Sequence, residues 1–227
     1  IGNKPVSVLS TGIGTDNIDI VINELDTLFN VDLETRAVKD NPVSLNLIRV
    51  GTSGTFQEDI EVGSLVLSKA VVGLDALMGF YNYEKTEEQK DFLAAFEGHI
   101  GTDFPIRPYY FTADEGLFRE LFDEKYVEGI TATCAGFYGP QGRELRAGIS
   151  QPDLIPKLAS FRYKGKRMTN FEMETSGIFG MASILGHRAC SCNAILANRA
   201  NGTFSKDPAA EVENLIKNIL ASVEKLP

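Results

Sequence analysis

Along this chain the apolar positions switch repeatedly between two spacings, the alternation that suits strands and the three-to-four step that suits helices. Residues 6–10 read as a strand running into the turn Thr11-Gly12-Ile13-Gly14. Asp16 is then placed to cap a helix whose Ile18, Val21, Ile22, Leu25 and Leu28 form one apolar stripe. A polar stretch over 32–44, containing Asn41-Pro42, reads as a surface excursion. It leads to a second strand over 45–50 that ends at Gly51-Thr52-Ser53-Gly54. Residues 64–74 are expected to be β-structure with a kink at Gly73, and Thr86-Glu87-Glu88-Gln89 has the spacing of a capping box opening a helix with Phe92, Leu93 and Phe96.

The second half continues in the same manner. A short helix is expected over 114–122, a strand over 127–134, and a short helix or lid-like loop over 151–158, interrupted by Pro152 and Pro156. Residues 174–185 read as a helix stopped by Gly186, and 188–197 as a strand. Asp207-Pro208 opens a last helix with Val212, Leu215, Ile216, Ile219, Leu220 and Val223 on its buried stripe. Strands alternating with helices predict an α/β fold. Without a repeat, a low-complexity tract or an interdomain linker, one domain over residues 1–227 is expected.

Composition narrows the partners. A hydrophobic content of 43% and a charged content of 23% are ordinary for a soluble globular protein. The net charge of -9 argues against a nucleic-acid partner, because neutralising a phosphate backbone needs clustered Lys and Arg. It leaves room for a single phosphate ion, since one Arg in a pocket sets the local field. No run approaches the roughly 18 apolar residues of a membrane span, so no membrane partner is expected. Residues 1–5 do not form a signal peptide. Cys134, Cys190 and Cys192 are odd in number and lack metal-ligand spacing, which fits reduced thiols in a cytoplasmic protein.

Absences then limit the chemistry. With His99 and His187 alone, a His-rich metal centre is excluded. There is no Gly-x-Ser-x-Gly elbow, and the turn at 11–14 lacks the Lys of a phosphate-binding P-loop. Carboxylates, Arg, hydroxyls and backbone amides remain. Four groups carry them. Phe137-Tyr138-Gly139-Pro140-Gln141-Gly142-Arg143 puts an amide and a guanidinium two residues apart on a Gly/Pro-rich turn, where both can reach one planar heterocycle. Phe137 can stack on a ring face; an incidental surface turn explains the segment equally well. Arg49 and Thr52 flank small residues that let an anion approach backbone amides, though a strand-end Arg beside a glycine turn is the plainer reading. Glu172, Met173 and Glu174 sit at a strand-to-helix junction, where Glu174 is either a favourable helix-start charge or a bidentate acceptor for ribose hydroxyls. Asn198 and Arg199 end a buried strand, where clefts of open α/β sheets commonly lie.

Taken in order, Ser10-Thr11-Gly12-Ile13-Gly14, Arg49-Val50-Gly51-Thr52-Ser53-Gly54, Phe137 to Arg143, Phe171 to Ser176 and Ala197-Asn198-Arg199 resemble the blocks of uridine phosphorylases. These belong to the nucleoside phosphorylase superfamily that includes the hexameric purine nucleoside phosphorylases. The resemblance covers essentially the whole chain, and Gln-Gly-Arg after Phe-Tyr is its more specific, uridine-type part. It implies a three-layer α/β/α domain with a mixed central sheet. It implies a pentosyltransferase that splits uridine with phosphate into uracil and ribose 1-phosphate in pyrimidine salvage, with no cofactor beyond inorganic phosphate as co-substrate. Arg49 and Thr52 would contact phosphate, Glu174 the ribose hydroxyls, and Met173 the sugar. Gln141 and Arg143 would read the uracil edge with Phe137 near its face, Glu172 would belong to the sugar block, and Arg199 would back the base pocket. Purine-specific members place an Asp near the position of Asn198, so Asn198 favours a pyrimidine.

The resemblance also implies a homodimer or hexamer, and a further N-terminal segment bearing a phosphate loop. Nothing before Val6 supplies that loop, so the expectation is either a longer parent chain or an unusual member with a weakened phosphate site. A purine phosphorylase, a nucleosidase that uses water, and a catalytically silent nucleoside-binding or assembly protein are the rival readings.

Overall fold

The computed structural model describes residues 1–2, 4–101 and 103–226. Its helices are α1 (Thr15–Asn30), α2 (Glu87–Ile100), α3 (Glu115–Leu121), α4 (Leu154–Ser160), α5 (Thr175–Leu185) and α6 (Pro208–Lys225). The strands are β1 (Asn46–Thr55), β2 (Leu65–Leu74), β3 (Tyr109–Thr112), β4 (Tyr126–Cys134), β5 (Arg162–Tyr163), β6 (Lys166–Glu172), β7 (Arg188–Asn198) and β8 (Thr203–Phe204). They form one mixed sheet in the order β3-β2-β4-β6-β1-β7-β8, with β5 paired to β6. β7 also pairs antiparallel with β2, so β2, β4, β6, β1 and β7 close into a ring.

Helices cover both faces, as the resemblance implies. One face buries Ile18 and Ile22 of α1, Leu117 of α3, Ile178 and Phe179 of α5, and Leu215 and Ile219 of α6. The other buries Phe92 and Phe96 of α2 and Leu154 and Leu158 of α4 against Phe161 and Phe171. Each fully buried apolar side chain of this size contributes about 1.5–3 kcal/mol, so these two clusters dominate the stability. The α2 capping box forms as expected: Gln89 N–H donates to Thr86 Oγ1 at 3.2 Å, and Thr86 N–H donates to Gln89 Oε1 at 2.8 Å.

Several local expectations are corrected. Residues 6–10 are not a strand; Val8 is 92% exposed, and an alternating pattern makes a strand only when a neighbour accepts its ladder bonds. Gly51-Thr52-Ser53-Gly54 is not a turn but the second half of β1, which slips register by a bulge between Ser53 and Gly54. β2 runs straight through Gly73, where the glycine is needed for room: a Cβ there would lie 2.2 Å from Tyr109 Cζ. Gly14, not Asp16, is the N-cap of α1, and no side chain caps it. Leu28, Ile216 and Leu220 lie outside the buried stripes of their helices because each stripe needs fewer positions than the pattern offers.

Candidate active site

β1, β6, the turn after β4 and the start of α5 converge at one end of the ring. They enclose a cavity of about 630 Å³ lined by Arg49, Thr52, Phe137, Gln141, Arg143, Glu172, Met173 and Glu174 among others. Eight of the nine residues singled out from the sequence therefore meet in one place. The ninth, Arg199, stands behind the wall, donating to the carbonyl oxygens of Gln141 and, at 3.2 Å, of Gly142.

At one end lies a carboxylate–guanidinium cluster. Glu172 is buried and held by three bonds: Oε2 accepts from the amides of Glu174 and Thr175, both at 2.8 Å, and Oε1 from Thr133 Oγ1 at 2.5 Å. Two of those donors are backbone amides at the start of α5, where a helix leaves its N–H groups free and favours negative charge. Glu172 thus holds the junction and lines the cavity with one lone pair of Oε1 left. Glu174 differs. It is the N-cap of α5 without a capping bond of its own, and its Oε1 accepts from Gly14 N–H at 2.8 Å while Oε2 accepts from Arg49 Nη2 at 2.6 Å. Each oxygen keeps a lone pair, so the carboxylate is held in place and can still accept two hydroxyls side by side. Arg49 spans the pair, with Nη2 also 3.2 Å from Glu172 Oε2. Its Nε–H and one hydrogen of Nη1 have no partner among the described residues, and Thr52 stands exposed three residues on along β1.

The other end is built from arginines. Arg143 Nη1 donates to Phe137 O at 2.6 Å and to Gln141 Oε1. Its guanidinium lies 4.0 Å from the centre of the Phe137 ring and 5.4 Å from that of Phe171. Phe137, 53% exposed, therefore gives one face to Arg143 and keeps the rest of its ring open at the cavity. Gln141 is buried, with its Oε1 turned to Arg143, and its amide hydrogens have no partner among the described residues. Burial and, next, the charge of Arg199 pull the pKa of Arg143 below the usual arginine value, and burial does the same for Arg199. Neither forms an ion pair among the described residues. Two half-buried cations without a carboxylate partner favour an electron-rich group beside them.

Sequence reasoning missed part of this framework. Phe171 floors the arginine end, stacked on Phe56 with ring centres 5.5 Å apart. Gly14 reaches Glu174 through its backbone, so no side chain signals it. Leu196, Phe204 and Pro208 complete the wall from the far end of β7 and beyond. Asn198, near whose position purine-specific members place an Asp, donates its amide to Gln57 O at 2.9 Å and Ile60 O at 2.8 Å and does not line the cavity.

A family model described as the phosphorylase superfamily matches residues 1–226. The chain belongs to the phosphorylase superfamily. Among the superfamily's curated members, it is 32% identical over 206 residues to the uridine phosphorylase of Thermococcus kodakarensis, covering 89% of this chain and 61% of that protein. Against the DeoD-type purine nucleoside phosphorylase of Bacillus subtilis the identity is 23%, covering 98% of this chain and 77% of that protein. The fold overlays on a nucleoside phosphorylase from Trypanosoma brucei, whose crystal structure is described as showing uridine phosphorylase activity, with a TM-score of 0.84 at 25% identity. That overlay covers 96% of this chain and 79% of the other. The chain thus spans about three-fifths of the length of the Thermococcus relative.

Proposed function

We propose that this chain carries the active site of a uridine phosphorylase: uridine and inorganic phosphate give uracil and ribose 1-phosphate. The observation that carries the reading is Arg143, half-buried without a carboxylate partner and backed by Arg199, in the same cavity as the Glu174–Arg49 pair. Glu174 accepts the 2′- and 3′-hydroxyls of ribose through its two spare lone pairs. Phosphate sits by Arg49 and Thr52. As the bond between C1′ and N1 breaks, its electron pair leaves with uracil and the ribosyl centre becomes cationic. A phosphate oxygen then bonds to C1′. The negative charge on the departing base spreads to O2 and O4, where Arg143 and the Gln141 amide donate. Bringing phosphate and nucleoside together in one cavity removes much of the cost of their encounter.

The pyrimidine reading rests on Gln141 and Arg143, which line the cavity, because Asn198 turns its amide to Gln57 O and Ile60 O and stands outside it. The reading includes inorganic phosphate as co-substrate and no organic cofactor, one domain over residues 1–227, and a place in cytoplasmic pyrimidine salvage. Free, buried Cys134, Cys190 and Cys192 suit that compartment. No helix among the described residues is long and apolar enough to cross a membrane. It also includes a homodimer or larger homo-oligomer.

The test is phosphate-dependent release of uracil from uridine, followed in the wild-type chain and in Arg143→Ala. Loss of a charge-assisted contact to the leaving group is expected to cost about 2–4 kcal/mol of barrier, seen as a fall in kcat/KM of about 10²–10³-fold with the fold intact. Uracil release that ignores phosphate, or an Arg143→Ala enzyme as fast as wild type, overturns the assignment.

A further inference from the structure

Arg49 makes one contact that neither a ribose nor a phosphate explains. Its Nη1 donates to Oδ1 of Asn193 at 2.6 Å, across the paired strands β1 and β7. Asn193 is fully buried. A guanidinium has no acceptor, so the amide must turn its oxygen to Arg49 and its Nδ2 the other way. There Nδ2 donates to Ser191 Oγ at 3.3 Å, and Ser191 Oγ is 2.8 Å from Thr175 Oγ1. The amide of Thr175 donates to Glu172 Oε2, which pairs back with Arg49. Arg49, Asn193, Ser191, Thr175 and Glu172 thus form a closed polar circuit, of which Ser191, Asn193 and Thr175 are fully buried.

We propose that Asn193 is a positioning residue, which holds the Arg49 guanidinium at a set distance from Glu172 and Glu174 so that its spare N–H groups stay available to phosphate. This rests on the phosphorylase reading of the site. Two carboxylates on one side draw Arg49 fully onto themselves unless something anchors its other nitrogen. A neutral acceptor provides that anchor without a competing charge. Because Asn193 lies in the interior of β7, with Arg49 and the strand β1 between it and the ligand, it acts through Arg49 and touches no substrate.

Three replacements separate this role from packing. Asn193→Leu keeps the bulk and removes the acceptor; Asn193→Ala removes the acceptor with less risk of overpacking if Leu fails to fold. Asn193→Asp keeps the shape and the acceptor but adds a charge 2.6 Å from Arg49 that competes with phosphate, so it tests the need for a neutral anchor without changing the packing. With the full chain, the readouts are KM for phosphate, KM for uridine, and the rise in thermal midpoint produced by inorganic phosphate alone. The Leu and Ala variants are expected to raise KM for phosphate about tenfold or more, the scale of a lost hydrogen bond to a charged group, with KM for uridine changed less than about threefold. The Asp variant, which holds Arg49 but offsets its charge, is expected to raise KM for phosphate about tenfold or more as well. A folded Leu or Ala variant with unchanged phosphate KM overturns the proposal, as does a folded Asp variant with the phosphate KM of wild type. Should the wild type be stabilised by phosphate yet leave uridine intact, the uridine reading falls and the phosphate-induced midpoint shift still decides the role of Asn193. A wild type that phosphate does not stabilise overturns the proposal.

Discussion

Gly51 shows how much of the site depends on atoms that are absent. It lies two residues from Arg49 on the same face of β1, and a Cβ built on it would fall 2.4 Å from Arg49 Nη1 and 2.5 Å from Cζ. The guanidinium therefore lies flat over the glycine on its way to Glu174. Its φ is not in the left-handed region, so alanine is conformationally allowed. Glycine inside a strand costs roughly 0.5–1 kcal/mol relative to alanine, a gain smaller than the loss of Arg49's buried contacts to Glu174 and Asn193, so Gly51→Ala should lower the thermal midpoint. The same methyl lifts Arg49 off its seat, so KM for phosphate is expected to rise about tenfold. Steady-state kinetics with a melting curve check both halves. A destabilised variant with normal phosphate KM would mean that Gly51 serves packing and not the site.

At the scale of elements, α2 provides a control on the opposite face of the sheet from α5. Its capping box satisfies two otherwise free amides, and Gln89 Nε2 also donates to Tyr110 O at 2.8 Å, tying the helix start to β3. Thr86→Ala is expected to lower unfolding stability by about 1 kcal/mol while leaving phosphorolysis unchanged, which chemical denaturation and an activity assay together measure. Loss of activity in step with stability would show that the two faces are coupled. That box was legible in the sequence because capping acts within four residues. So were the long helices and central strands, whose apolar periods report a buried face directly, and the site residues that fall in short blocks, such as Gln141 with Arg143 and Glu172 with Glu174. What could not be read depends on partners distant in the chain. The strand expected over 6–10 has the right alternation but no neighbour, whereas β1 runs on through Gly51-Thr52-Ser53-Gly54 because β6 and β7 pair with it there. Asn193 looks like one more polar residue in an apolar run until the register sets it beside Gly51 and within reach of Arg49.

For the whole molecule, the mouth of the cavity is the informative surface. Ile13 is 71% exposed and Phe204 74% exposed, and with Phe137 they line the cavity from its rim. Large apolar side chains left in water around a site that must exclude water during charge separation favour a cover. A second copy of the chain is the occupant proposed here, consistent with the homo-oligomer in the functional reading. Seating such a copy removes the three side chains from water and lowers the local dielectric around Arg143, strengthening its hold on the departing base. Specific activity is therefore expected to fall on dilution, in parallel with the loss of dimer mass by light scattering. Phe204→Ser, on the rim and away from the Glu174–Arg49 pair, should shift both curves to higher protein concentration by the same factor. A common shift follows because association and activity would then report one equilibrium. A monomer by scattering that keeps full specific activity at every concentration would show instead that one chain closes its own site.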